Sequence, residues 1–182
     1  MSPRVARYLL GLAGWRVEGE IPKLLRKYIV IAAPHTSWWD FPLGLLARAA
    51  IGRHIFFLGK ASLFKPPFGW IMRKLGGYPV DRRRSTQMVE QVVALFRSHD
   101  DFAIALAPEG TRRKVTGFRT GFYYIAKGAG IPVICVRFDY ANRIVTYAPP
   151  FYPTMDAEAD LAKLWEHFVG VRGKRPGKGI AA

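Results

Sequence analysis

Cysteine is almost absent from this chain: Cys135 is the only one in 182 residues, so no disulfide can form within it. Acidic residues are scarce as well. Thirteen aspartates and glutamates face 28 lysines and arginines, a formal net charge of +15, and such an excess points to an anionic partner. Nucleic acid, an anionic membrane face and a phosphorylated small molecule all meet that condition. Long apolar runs are missing. The stretch from Arg4 to Trp15 is well short of the roughly 20 apolar residues that cross a bilayer, and it lacks the small-residue cleavage site of a secretory signal. No Gly-rich phosphate loop or dinucleotide fingerprint occurs, so nucleoside-triphosphate and nicotinamide chemistry have no support. No helix-turn-helix, zinc-finger or aromatic ribonucleoprotein pattern accompanies the basic residues, which weighs against nucleic acid.

What is present is the makeup of a folded domain. Half the residues are hydrophobic and 14% aromatic, and a domain of this length buries about 70% of its unfolded surface. Strand-like and helix-like pieces alternate. Tyr28–Ala32, Ile55–Leu58, Phe102–Leu106 and Val133–Val136 are β-branched or apolar runs of strand length, and Trp15–Gly19 and Ile144–Tyr147 read as edge strands. Between them, Phe68–Leu75, Ser85–Ser98 and Phe118–Lys127 have helical spacing, and Leu161, Leu164, Trp165 and Phe168 mark a last helix. The fold class is therefore α/β: a single domain with a mostly parallel or mixed central sheet flanked by helices. Residues 1–14 form a short amphipathic segment lying on a membrane or on the domain, 15–171 the domain itself, and 172–182 a basic tail.

The chain is best organised around Ala33-Pro34-His35-Thr36-Ser37-Trp38-Trp39-Asp40-Phe41-Pro42. A buried strand precedes it and a helix-forming run follows, the junction at which open α/β sheets place their binding crevices. A carboxylate five positions after His35 can bond one ring nitrogen and leave the other to take a proton. No serine or cysteine nucleophile is needed if the substrate brings its own hydroxyl. Plainer readings stand beside this one: Asp40 as an N-cap, His35 as a core histidine, and Trp38 and Trp39 as ordinary packing.

Two further loops leave predicted strands. Asp81-Arg82 follows Val80, and Glu109-Gly110-Thr111-Arg112 follows the strand ending near Leu106. Arginine in both places suits a phosphate, because its planar fork binds two oxygens at once. Gly110 permits close backbone approach, and Glu109 can orient a hydroxyl or pair with an arginine. Solvated turns with surface ion pairs are the competing reading of each loop.

Together these segments resemble the glycerolipid acyltransferases. His35 to Asp40 resembles the family's His-x4-Asp block. Gly59-Lys60 through Tyr78-Pro79-Val80-Asp81-Arg82 is similar to the second block, Pro108-Glu109-Gly110-Thr111-Arg112 to the third and Ile131-Pro132-Val133 to the fourth, all in the family's order. The resemblance covers roughly residues 15 to 150. It implies transfer of a fatty acyl group from acyl-CoA or an acyl carrier protein to the hydroxyl of a lysophospholipid, by default 1-acyl-sn-glycerol 3-phosphate, without a covalent acyl-enzyme. Carried over, His35 is the general base and Asp40 its partner. Lys60, Arg82, Glu109, Gly110, Thr111 and Arg112 form the acceptor site, with Pro132 structural near it. No metal or other cofactor is implied. The resemblance further implies a peripheral position on the cytoplasmic face of a membrane, and gives the excess charge an anionic surface to meet. Pro34, Trp38, Trp39 and Arg113-Lys114 depart from the family pattern and leave the choice of lysolipid acceptor open. A non-catalytic protein that binds anionic membrane or nucleic acid is the alternative.

Overall fold

The computed structural model describes residues 1–67, 69–80 and 85–180, apart from the side chains of Lys60, Ser85 and Thr86. In chain order the elements are α1 (Pro3–Leu12), β1 (Arg16–Glu18), β2 (Lys27–Ala33), α2 (Asp40–Ala50), β3 (Phe56–Lys60), a 3-10 turn (Ala61–Phe64), α3 (Gly69–Lys74), β4 (Gly77–Val80) and α4 (Ser85–Ser98). They continue with β5 (Phe102–Leu106), β6 (Lys114–Val115), α5 (Gly121–Ala129), β7 (Val133–Asp139), β8 (Ile144–Tyr147), α6 (Ala157–Glu166) and β9 (Gly179–Ile180).

Seven strands form one sheet in the order β1-β8-β7-β2-β5-β3-β4. Every neighbouring pair is parallel except β7 with β8. The α/β expectation holds. Ile144–Tyr147, expected at an edge, is the second strand in, because β1 pairs outside it with Arg16 opposite Ile144. Two short strands of similar alternation give no sign of which one is outermost.

Strand alternation sorts the core into two layers. Ile29 and Ile31 of β2 point to the face covered by α4, α5 and α6, where Phe96, Phe122 and Phe168 are buried. Tyr28 and Val30 point to the face covered by α1 and α2, against Leu10, Leu43 and Ala47. Each large side chain so buried contributes about 1.5–3 kcal/mol relative to an exposed one. Burial on both faces is the reason β2 is apolar throughout, as expected of a central parallel strand.

The two ends of the chain are tied to this body. In α1, Ser2 caps the first turn by accepting from Val5 N at 3.4 Å, and Pro3 sits where its missing N–H leaves no bond unmade. Its inner residues Ala6 and Leu10 are buried, while Val5, Tyr8, Leu9 and Leu12 stay exposed. Residues 172–180 of the segment expected as a basic tail fold back instead. Tyr140 N donates to Arg172 O at 2.9 Å, Arg175 N donates to Thr36 Oγ1 at 3.4 Å, and β9 pairs with β6. Gly173 permits the approach, since a Cβ there would lie 2.4 Å from Thr36 Cγ2. Charge alone reads as a solvated tail; two glycines and a short strand among the lysines make it a strap.

Candidate active site

The three central strands β7, β2 and β5 run parallel, so their carboxyl ends open side by side. Ile31 lies opposite Leu106 and Ala33 opposite Arg137. The loops that follow, starting at Pro34, Ala107 and Tyr140, therefore share one crevice, as open parallel sheets require of their binding sites.

His35 projects from the first loop with about a quarter of its side chain exposed, and its Nδ1 lies 3.2 Å from Asp40 Oδ2. Asp40 is only 3% exposed. Its Oδ2 also accepts from Thr36 N at 2.7 Å and Ser37 N at 2.8 Å, and its Oδ1 accepts from Tyr140 OH at 2.8 Å. Asp40 thus bonds back into the loop rather than forward along α2, whose N-cap position belongs to Trp39. Burial pushes the Asp40 carboxyl up, but the bonds from His35, Ser37, Tyr140 and Thr36 together outweigh it and hold the group below its ordinary value. It remains a carboxylate. With Nδ1 committed to that carboxylate, Nε2 is the ring nitrogen available to a substrate proton.

The second loop supports the first from beneath. Glu109 is 2% exposed, and its Oε1 accepts from His35 N at 2.6 Å. Its Oε2 has no hydrogen-bond partner among the described residues. Burial, partly offset by the His35 and Glu109 backbone N–H groups, pushes the Glu109 carboxyl up to about 7. Gly110 adopts φ +65°, and a Cβ there would lie 2.4 Å from Arg119 Cδ, so the turn demands glycine. Arg119 N in turn donates to Pro108 O at 2.8 Å. This bond keeps residues 118–119 in the loop and starts α5 at Gly121 rather than at Phe118.

Two cations lie on the paired tryptophans. The Arg112 guanidinium carbon is 3.9 Å from the Trp38 ring centroid, and Lys174 Nζ is 4.4 Å from that of Trp39. Trp38 is 74% and Trp39 62% exposed, so neither is core packing. Arg112 Nε is buried and has no hydrogen-bond partner among the described residues. Stacking on indole fixes the guanidinium plane.

A cavity of about 890 Å³ joins these parts. Its lining includes His35, Gly110, Thr111 and Arg112 together with apolar groups such as Phe41 and Leu45 of α2 and Phe138 of β7. Glu109 is not in its wall; the carboxylate sits under the His35 backbone. Arg48 also lines the cavity, with Nη2 donating to Leu75 O at 2.6 Å. Lys60 ends β3, but its side chain and the whole of Asp81-Arg82 lie outside the described residues. Pro132, expected near the acceptor site, is at the other end of the sheet. It precedes β7, and its carbonyl accepts from Ile29 N at 3.0 Å, about 20 Å of strand from the crevice. Tyr140 is the site residue that sequence reasoning missed. Its signal is positional: it follows directly on a strand whose pairing with β2 only the fold reveals.

A family model described as Acyltransferase matches residues 15–139. The 1-acyl-sn-glycerol-3-phosphate acyltransferase of Streptococcus pneumoniae is 28% identical over 141 residues, covering 72% of this chain and 52% of the relative. The Haemophilus influenzae protein of the same name is 29% identical over 143 residues, covering 72% of this chain and 58% of the relative. The chain thus spans little more than half the length of these curated relatives. The crystal structure of the LPA acyltransferase PlsC from Thermotoga maritima superposes with a TM-score of 0.62 at 23% identity, covering 91% of this chain and 74% of that one, a likeness of fold. Because the family model spans well over half of the sequence and includes His35, Asp40 and Glu109, the chain belongs to the acyltransferase family.

Proposed function

We propose that this protein transfers a fatty acyl group from an acyl thioester to the hydroxyl of a lysophospholipid, with 1-acyl-sn-glycerol 3-phosphate as the first acceptor. The observation that carries the reading is the His35–Asp40 pair in the wall of a cavity lined by Arg112 and by apolar side chains such as Phe41, Leu45 and Phe138. His35 Nε2 takes the proton of the acceptor hydroxyl as its oxygen attacks the thioester carbonyl. Asp40 stabilises the imidazolium that results; the tetrahedral intermediate then breaks its carbon–sulfur bond, and the leaving thiolate takes the proton back from His35 Nε2, without an acyl-enzyme. Arg112, stacked on Trp38, faces the acceptor phosphate, and the apolar part of the cavity takes the acyl chain. The cavity volume lies within the range of small-molecule sites. Curated relatives named for this acceptor support the assignment.

A mass-spectrometric screen of purified protein against lysolipids paired with acyl-CoA and acyl carrier protein donors tests the proposal. Phosphatidic acid should be the principal product, formed from one donor class. Transfer to no hydroxyl lipid, or accumulation of an acylated protein, would overturn it.

The acceptor lives in a bilayer, and no helix among the described residues is long and apolar enough to cross one. The reading therefore places the protein on an anionic surface through the exposed Val5, Leu9 and Leu12 of α1 and the basic residues beside them, Arg4 and Arg7. A lysine or arginine near such a surface contributes about 1 kcal/mol. Cosedimentation with phosphatidylglycerol vesicles should greatly exceed that with phosphatidylcholine vesicles and weaken as salt rises. The double substitution Leu9→Glu, Leu12→Glu should lower vesicle affinity by about tenfold or more. Equal binding to both lipids would rule this contact out.

A further inference from the structure

Asp40 is held by two kinds of partner. Thr36 and Ser37 belong to its own loop, and their N–H groups both reach Oδ2. Tyr140 stands 100 residues away in sequence, just beyond β7, and donates its hydroxyl to Oδ1 at 2.8 Å. We propose that Tyr140 is a positioning residue of the acyl-transfer reaction, fixing the Asp40 carboxylate so that Oδ2 is presented to His35 Nδ1. This inference rests on the reading of His35 as the general base.

The geometry gives the tyrosine hydroxyl this one task. Oδ2 already receives two backbone N–H groups and the imidazole, while Oδ1 has only Tyr140 among the described residues. Without that donor, the carboxylate is free to rotate about its Cβ–Cγ bond and divide the same partners between its two oxygens. Tyr140 is itself held by two distant segments, its ring by one and its backbone by the other. Trp15, beside β1, meets it edge to face with centroids 4.8 Å apart and planes at 88°. The backbone N–H of Tyr140 donates to Arg172 O in the returning basic segment. A group supported in this way locks the residue it bonds, much as outer partners orient metal-ligating histidines. Phenylalanine would fill the same space and keep the Trp15 contact, so packing does not account for the hydroxyl. Burial, then the bond to Asp40, pushes the tyrosine well above its ordinary value, and it remains a donor throughout the working range. The titratable groups around Asp40 are His35 from the loop after β2, Tyr140 from the end of β7 and Glu109 from the loop after β5.

Tyr140→Phe tests the role, assayed for kcat and KM across pH beside the unaltered enzyme with the same acceptor and donor. kcat should fall about tenfold, the effect of one lost bond to a charged group, while both KM values stay within about twofold. The acid limb of kcat/KM should move to higher pH, because Asp40, short of a donor, holds the imidazolium proton more strongly. A merely structural tyrosine would leave that limb in place. Glu109 is present in both proteins and cancels from the difference. Placed in an Asp40→Asn background, Tyr140→Phe should change the rate by less than about twofold, since its effect runs through the carboxylate. An unchanged kcat and pH limb, or the same tenfold loss in both backgrounds, would overturn the proposal. His35→Ala is run in parallel. Collapse there with no effect of Tyr140→Phe removes Tyr140 alone, whereas survival of activity in His35→Ala removes the general base and this inference with it.

Discussion

His35→Ala should lower kcat by about 10²–10⁴-fold, the contribution of a well-placed general base, with little change in stability. The second half of that expectation follows from its surroundings. The histidine side chain is partly exposed and its ring bonds one carboxylate oxygen, whereas the loop is held by backbone groups. Thr36 N and Ser37 N remain on Asp40, and the residue 35 N–H remains on Glu109. Acyl transfer should therefore collapse while circular dichroism, melting temperature and vesicle binding persist. Steady-state rates by product mass spectrometry, measured beside these controls, separate lost chemistry from lost folding. Transfer at the original rate would eliminate His35 from the mechanism.

Glu109→Gln should have its main effect on stability, in a pH-dependent way. The carboxyl is 2% exposed, and its folded value of about 7 lies above the ordinary 4.5. Well below 4.5 the group is protonated in both folded and unfolded chains and costs nothing. As pH rises the unfolded chain ionises first, the folded chain later, and stability declines until both are ionised above about 7. That gap corresponds to roughly 3 kcal/mol. Glutamine removes the titration and keeps an acceptor for the His35 N–H. Urea unfolding should therefore show wild type losing roughly 2 kcal/mol more than the variant between about pH 5 and about pH 8. A parallel decline in the two proteins would mean that Glu109 is ionised freely in the fold.

Much of this architecture is visible in the residues alone. The alternation of apolar runs identifies β2, β5 and β7, and the five-residue step from His35 to Asp40 identifies the dyad, because both are local patterns. Direction and depth are not local. An acid in the third block reads as a ligand group, yet the turn at Gly110 carries Glu109 under the His35 backbone. Pro132 belongs to a matching block, but β7 runs toward the crevice and leaves the proline behind at its start. Tyr140 carries no motif, and its contact exists only because β7 lies beside β2. The strap from Arg172 to Ile180 shows the same limit: composition registers its charge, not the glycines that let it settle on Thr36.

Parallel pairing has one more consequence. The bonds that build the crevice join positions 74, 100 and 139 apart along the chain, so no fragment that parts His35 from Glu109 or Asp40 from Tyr140 contains the assembled centre. Competence arrives only when the most distant loops have closed, late in folding if long-range contacts form last. Turnover per mole is then a sensitive gauge of how many molecules in a preparation are fully native.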